Sequence, residues 1–258
     1  MRKKIIIGIV IVLAIVFGIS AYNVIKILWD NYQAEKTYES LQTEYVTILP
    51  TPAPTPTQEQ SAPIEPETQP LRMTVDFEAL KKVNRDTVGW LYCEDTYIHY
   101  PVVQGRDNTK YVRTGFNGKW LISGTLFVDF RNQAIGEDRN YIIYGHNMKT
   151  DRMFGSLVKY KSQEYYEDHK TLLYLTPEGD YLLEAAAGLI VDEREILYEP
   201  NPDPVLYDAF LQRAMESSTF RSGIDLRREK SLVILSTCSQ EKETTRYVLL
   251  CRVTPIEY

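Results

Sequence analysis

Eighteen consecutive residues, Ile5 to Tyr22, carry no charge, and that run limits where a water-soluble fold can begin. As helix it would span about 27 Å, close to the hydrocarbon thickness of a bilayer. The reading is a single membrane anchor at residues 5–22 behind a cytoplasmic tip at residues 1–4. Arg2, Lys3 and Lys4 ahead of the span orient it with the N-terminus inside and the remainder outside the cytoplasm. A cleaved signal peptide is the competing reading, because Gly18 and Ser20 form a small-x-small site. Against cleavage, the run exceeds a signal-peptide core and apolar residues continue through Ile25, Leu28 and Trp29.

Residues 23–49 intersperse Ile25, Leu28, Tyr32, Leu41 and Tyr45 among charges, a loosely helical pattern without strong caps that reads as a juxtamembrane stalk. From Pro50 to Pro70 the composition changes to Thr-Pro-Ala-Pro-Thr-Pro and Ser-Ala-Pro-Ile-Glu-Pro, which favours extended backbone and supplies no core. At about 3.1 Å per residue this linker could reach about 65 Å, so it reads as a spacer. The folded part is then residues 71–258. With 44% hydrophobic and 25% charged residues overall, the chain suffices for one sizeable core. The net charge is −6 and no basic stripe is interleaved with aromatics, which argues against nucleic-acid binding.

Asp76 precedes Phe77, Leu80 and Val83 at helical spacing and is suited to an N-cap. Eight strand-like segments follow: Val88–Tyr92, Thr96–Val103, Thr125–Val128, Asn140–Tyr144, Leu172–Thr176, Tyr181–Val191, Ser231–Cys238 and Thr244–Val253. Short helices are expected at Met153–Tyr160 and Gln163–Asp168. A longer one is expected after Asp203, with Pro204 at its first position and Leu206, Phe210, Leu211 and Ala214 at core spacing. The fold class is mainly β, with an N-terminal helix and a helix ahead of the last strand pair.

Three residues stand out chemically. Cys238 closes the apolar strand Val233-Ile-Leu-Ser-Thr-Cys238, where a thiol can be reached from solvent. Arg246 begins the next strand beyond the polar loop Ser239–Glu243, which makes it a spatial neighbour, and His146 follows a strand through Gly145. A thiol, an imidazole and a permanently charged planar guanidinium provide a nucleophile, a proton shuttle and a fixed cation for the oxyanion of an acyl transfer. The field of Arg246 and of a protonated His146 would favour the thiolate. The remaining candidates read as structural. Cys251 shares a strand face with Tyr247 and Leu249 and reads as a small buried hydrophobe, and Cys93 receives no role. His99 reads as an outward-facing strand residue, and His169 as solvated in the charged run Glu167-Asp-His-Lys170. Arg246 has a bland alternative too, a surface pair with Glu241 or Glu243. There is no EF-hand spacing and no His-rich zinc pattern, so no metal and no cofactor is expected.

Beyond these three residues, residues 76–258 carry Asn84-Arg-Asp-Thr-Val-Gly-Trp90, Tyr100-Pro-Val-Val-Gln104, Asp107-Asn-Thr-Lys-Tyr111, Gly124-Thr-Leu-Phe-Val-Asp129, Tyr144-Gly-His-Asn-Met148, Met153-Phe-Gly155 and Leu235-Ser-Thr-Cys238, in that order. Together they resemble the sortases, and class B in particular. The resemblance implies an eight-stranded sortase-type β-barrel, catalysis by His146, Cys238 and Arg246, and substrate contacts from Ser236, Asn108 and Val112. It also implies a substrate and an acceptor. The former would be secreted proteins bearing a C-terminal sorting motif cleaved after threonine, and the latter an amine of a peptidoglycan stem peptide or its lipid-linked precursor. The chain departs from the pattern at Tyr92-Cys-Glu-Asp-Thr96, where relatives more often carry an apolar, Gly-containing turn, and at Ser239, where some have an acidic group.

Three alternatives stand beside that reading. A secreted cysteine peptidase or wall hydrolase would use the same pair, but papain-like enzymes place the cysteine at a helix start upstream of the histidine. A non-catalytic surface module would not need the trio at all. A pilus-assembly sortase would share the chemistry and differ in acceptor.

Overall fold

The computed structural model describes residues 2–49, 72–238 and 244–257, and by internal contacts the chain divides into Met1–Ser40 and Leu41–Tyr258. The Pro-rich segment and the loop 239–243 lie outside the described residues.

Helix α1 runs without interruption over Arg2–Tyr45. No glycine or proline occurs between Gly18 and Tyr45, so nothing breaks the helix where the charges begin. Its apolar side chains from Ile5 to Trp29 are exposed, as a lipid-facing span requires. With a mean hydropathy of 2.9 over its most apolar stretch, the helix is long and apolar enough to cross a membrane.

Two short strands were not foreseen. In the second unit β1 (Val46–Ile48) pairs antiparallel with β2 (Met73–Val75), aligning Val46 with Val75 and Ile48 with Met73. Leu49 N then donates to the Arg72 carbonyl at 2.8 Å. This bond sets Leu49 and Arg72 side by side; the Pro-rich segment 50–70, read from the sequence as a spacer, lies outside the described residues.

Helix α2 (Phe77–Val83) starts at Asp76, whose carboxylate accepts from Ala79 N as expected. Then come β3 (Thr87–Tyr92), β4 (His99–Gln104), β5 (Leu126–Val128), β6 (Asn140–Tyr144), α3 (Gln163–Asp168), β7 (Thr171–Thr176), β8 (Gly179–Asp192), α4 (Pro204–Glu216), β9 (Leu232–Cys238) and β10 (Thr245–Ile256). The eight strands β3 to β10 close into a barrel in the order β10-β8-β7-β3-β4-β5-β6-β9. Two of the pairings, β4 with β5 and β6 with β9, are parallel. The expected eight-stranded barrel is therefore present.

On α4, Asp203 caps Val205 N and Leu206 N at 3.0 Å each. The helix lays Tyr207, Phe210, Leu211 and Ala214 on Ile142, Ala187, Leu189, Ile234, Val248 and Leu250. Leu206, expected in that core, is exposed, and Tyr207 takes the position. Position 207 lies three, four and seven residues before Phe210, Leu211 and Ala214 and so completes their stripe, whereas Leu206 is turned about 100° away; the Tyr207 ring fills the space with its hydroxyl on the Asn140 side-chain oxygen. Met153–Tyr160 is not an α-helix either. Met153 has φ +52°, and a 3₁₀ segment occupies Gly155–Lys161.

Candidate active site

Strand register assembles the three chemical residues before any side chain is considered. Across β9 and β10, Cys238 pairs with Arg246. Across β6 and β9, Ile143 pairs with Leu235 and Tyr144 with Ser236, and Gly145 N extends the ladder to the Ser236 carbonyl at 3.1 Å. Cys238 and Arg246 therefore face each other on strands about 4.8 Å apart, and His146 follows the end of β6, two residues beyond its last pair with β9. Arg246 is in turn opposite Val191 of β8. The side chain of Cys238 is outside what the structure describes.

Gly145 fits its place for a reason other than turning. A Cβ there would approach Leu126 and Phe154 side-chain carbons to 2.5 and 2.6 Å, so only glycine lets the strand end pass beneath that pair and lead into His146. The imidazole is half-buried, with Nε2 2.7 Å from the Val112 carbonyl. Because a carbonyl only accepts, Nε2 carries the proton, leaving Nδ1 as the acceptor of the neutral ring. Burial pushes the imidazole below its ordinary value of 6.5, outweighing the Val112 hydrogen bond that raises it, and Arg113 lowers it further. The resting ring is therefore mostly neutral at pH 7.

Arg246 has its guanidinium on the cleft; Glu241 and Glu243, its alternative surface partners, lie outside the described residues. Nη2 donates to Glu193 Oε2 at 2.7 Å, and Nη1 to the Thr245 carbonyl at 3.2 Å. His146, Arg246, Ser236, Asn108 and Val112 all line one cleft of about 700 Å³, large enough for a short peptide.

The three substrate-contact candidates reach that cleft in different ways. Ser236 is buried, and its hydroxyl lies 2.9 Å from the Tyr198 hydroxyl. Asn108 uses both ends of its amide, donating to Asp129 Oδ2 at 2.9 Å and accepting from Phe130 N at 3.0 Å. Val112 acts through its backbone carbonyl on His146. The sequence did not point to Asp129 as the organiser of this wall. Its fully buried carboxylate accepts from Arg131 Nε at 2.9 Å and Nη2 at 3.0 Å, from Arg131 N at 3.0 Å and from the Tyr144 hydroxyl at 3.0 Å, as well as from Asn108. Burial alone would raise its pKa, but these hydrogen bonds, led by Arg131, hold the carboxyl below the usual range. Arg131 also donates to the Tyr198 carbonyl at 2.6 Å, tying the opposite wall to the same carboxylate.

His99 and His169 lie elsewhere. His99 is not outward-facing: its ring packs edge-on against Trp90 and Tyr92, and burial lowers its pKa to about 4. His169 stacks on Tyr165 at 4.0 Å with Nδ1 2.9 Å from the Tyr165 carbonyl. Among the described residues no cluster of three or more His, Cys, Asp or Glu forms a metal site.

Gly124 supports the Val112 carbonyl that accepts from His146. It has φ +57°, and a Cβ there would fall 2.3 Å from the Tyr111 oxygen and 2.6 Å from the Val112 oxygen. Gly124→Ala is expected to displace that carbonyl and to lower kcat about tenfold to a hundredfold, since misplacement of a reacting group by about 1 Å has that order of effect. Stopped-assay kinetics alongside thermal melting checks this, and unchanged kcat in a folded variant would refute it.

A sortase domain model matches residues 91–254. The chain is 28% identical over 245 residues to sortase B of Staphylococcus aureus, covering 93% of this chain and 91% of that protein. It is 33% identical over 169 residues to sortase B of Listeria monocytogenes, covering 65% and 69%. Among solved structures, a Staphylococcus aureus sortase B–substrate complex superposes with TM-score 0.64 at 29% identity over 70% of this chain and 85% of that one. Sortase B from Bacillus anthracis in complex with AAEK1 gives 0.69 at 27% identity over 89% and 100%. The chain belongs to the sortase family, and its relatives are of class B. It is a cysteine transpeptidase of that family.

Proposed function

We propose that Cys238, His146 and Arg246 catalyse acyl transfer from a C-terminal sorting motif to an amine of peptidoglycan or its lipid-linked precursor. The reading is supported by the Cys238–Arg246 strand pair next to β6, whose end leads to His146, and by a cleft lined by His146 and Arg246 with room for the peptide. In the first step the Cys238 thiolate attacks the carbonyl carbon after threonine, and Arg246 stabilises the oxyanion. The C–N bond then breaks, and the departing amine takes the proton of the His146 imidazolium. In the second step an acceptor amine attacks the thioester, the neutral imidazole removes its extra proton, and the thiolate leaves. The helix α1 anchors the enzyme with its N-terminus inside and its catalytic unit outside, where secreted substrates and wall precursors meet.

The full chain in detergent, given a sorting-motif peptide library and an amine, should form predominantly ligated product with amine-dependent partitioning. Hydrolysis indifferent to the amine would support a peptidase instead. The pH profile carries a second expectation. His146 lies below 6.5, whereas a thiol ionises near 8.5 unperturbed. The imidazolium–thiolate form is then a minority that peaks between the two values and declines as pH falls below that of the imidazole. The acid limb of kcat/KM should have its midpoint below 6.5, and a midpoint above that would contradict the assignment.

A further inference from the structure

We propose that Glu193 is a positioning residue, which fixes the Arg246 guanidinium in the orientation that meets the oxyanion. The inference rests on the transpeptidase reading of the same cleft. The backbone sets the pair up. Val191 stands opposite Arg246, and Glu193, two residues on, follows the end of β8, with its N–H bound to the Thr244 carbonyl at 3.0 Å. That is the diagonal cross-strand position, within reach of long side chains. The carboxylate takes Nη2 at 2.7 Å, and the Thr245 carbonyl takes Nη1 at 3.2 Å. Two donors on separate arms of the planar fork are thereby held by groups on two strands. The guanidinium keeps 25% side-chain exposure and Glu193 40%, so the pair stands on the cleft wall rather than in the core.

An arginine side chain has four rotatable bonds, and freezing it during the reaction would add to the barrier. Freezing it beforehand moves that cost into folding. As a surface ion pair the contact has little worth for stability, so its effect should appear in the acyl-transfer step.

The test is single-turnover acylation of the full chain in detergent by a sorting-motif peptide, read by intact mass, together with steady-state kcat and KM. Glu193→Ala is expected to slow acylation about tenfold to a hundredfold with KM within about twofold, and Glu193→Gln, which retains an acceptor without the charge, should fall between. Thermal melting should be unchanged. In an Arg246→Lys background, where the second arm of the fork is missing, Glu193→Ala should cost less than about threefold further, because its effect passes through that fork. Wild-type acylation rates in Glu193→Ala, a faster rate, or a full penalty retained in Arg246→Lys would each overturn the proposal. Absence of any Cys238-dependent adduct in the wild-type chain would instead overturn the transpeptidase reading on which it rests.

Discussion

Cys238→Ala is expected to abolish acyl transfer, by about 10⁴-fold or more, while the protein stays folded, because no other side chain in the cleft can form the thioester. The other two thiols make this a clean measurement. Cys93 is buried and its pKa is pushed up to about 11, and Cys251 is fully buried and pushed up further, in both cases chiefly by desolvation. At pH 7.5 the Cys93 thiolate is then about one part in three thousand. A thiol-alkylating reagent should therefore add one equivalent to the native wild-type chain and none to Cys238→Ala. An acyl adduct from the peptide should follow the same pattern. Persistence of an adduct in the alanine variant would remove Cys238 from the mechanism, whereas a second fast-reacting thiol would show that one of the buried pair is accessible.

The largest stability effect should come from Asp129. Its carboxylate is surrounded by donors only: three N–H groups of Arg131, the Asn108 amide and the Tyr144 hydroxyl. Asp129→Ala would leave the donors of Asn108, Tyr144 and Arg131 without their shared acceptor and is expected to cost about 2–3 kcal/mol, since Arg131 keeps 37% side-chain exposure and other acceptors. Asp129→Asn should cost nearly as much, because its amide nitrogen would meet another donor. The pH dependence has a definite sign. A carboxyl whose folded pKa is depressed contributes stability at neutral pH, and that contribution fades as pH falls from about 3.9, the unfolded value, through the folded one. Urea denaturation of the full chain in detergent should thus show a wide gap between wild type and Asp129→Ala at pH 7 that narrows below pH 4. A gap independent of pH would mean that the carboxylate charge is not what holds the wall.

How much of this could be read from the chain alone depended on the range of the interaction involved. The apolar runs of β9 and β10 and the polar loop between them specify an antiparallel neighbour pair, which is enough to bring Arg246 to Cys238. His146 was recognisable by its motif and its glycine, but the parallel pairing of β6 with β9, at whose end it lies, joins segments as far apart in the chain as Asn140 and Leu232 and leaves no local pattern. The Glu193 contact with Arg246 depends on β8 register in the same way. Asp129 was invisible for another reason: a buried charge looks like any other acidic residue until its donors are assembled. Asn108 lines the cleft, and the hydrogen bonds of its amide to Asp129 and Phe130 N had no signal in the sequence. Leu206 and Tyr207 show the limit of helical spacing, where adjacent apolar positions compete and only the facing surface selects between them.

The three-residue ladder between β1 and β2 has one more consequence. Because Leu49 and Arg72 are joined by a hydrogen bond, these two ends are held side by side by the ladder itself, whatever number of residues connects them. Doubling such a loop costs only about 0.6 kcal/mol in closure entropy. Insertions and deletions there should be nearly neutral, leaving evolution free to vary its length while the ladder beneath it stays fixed.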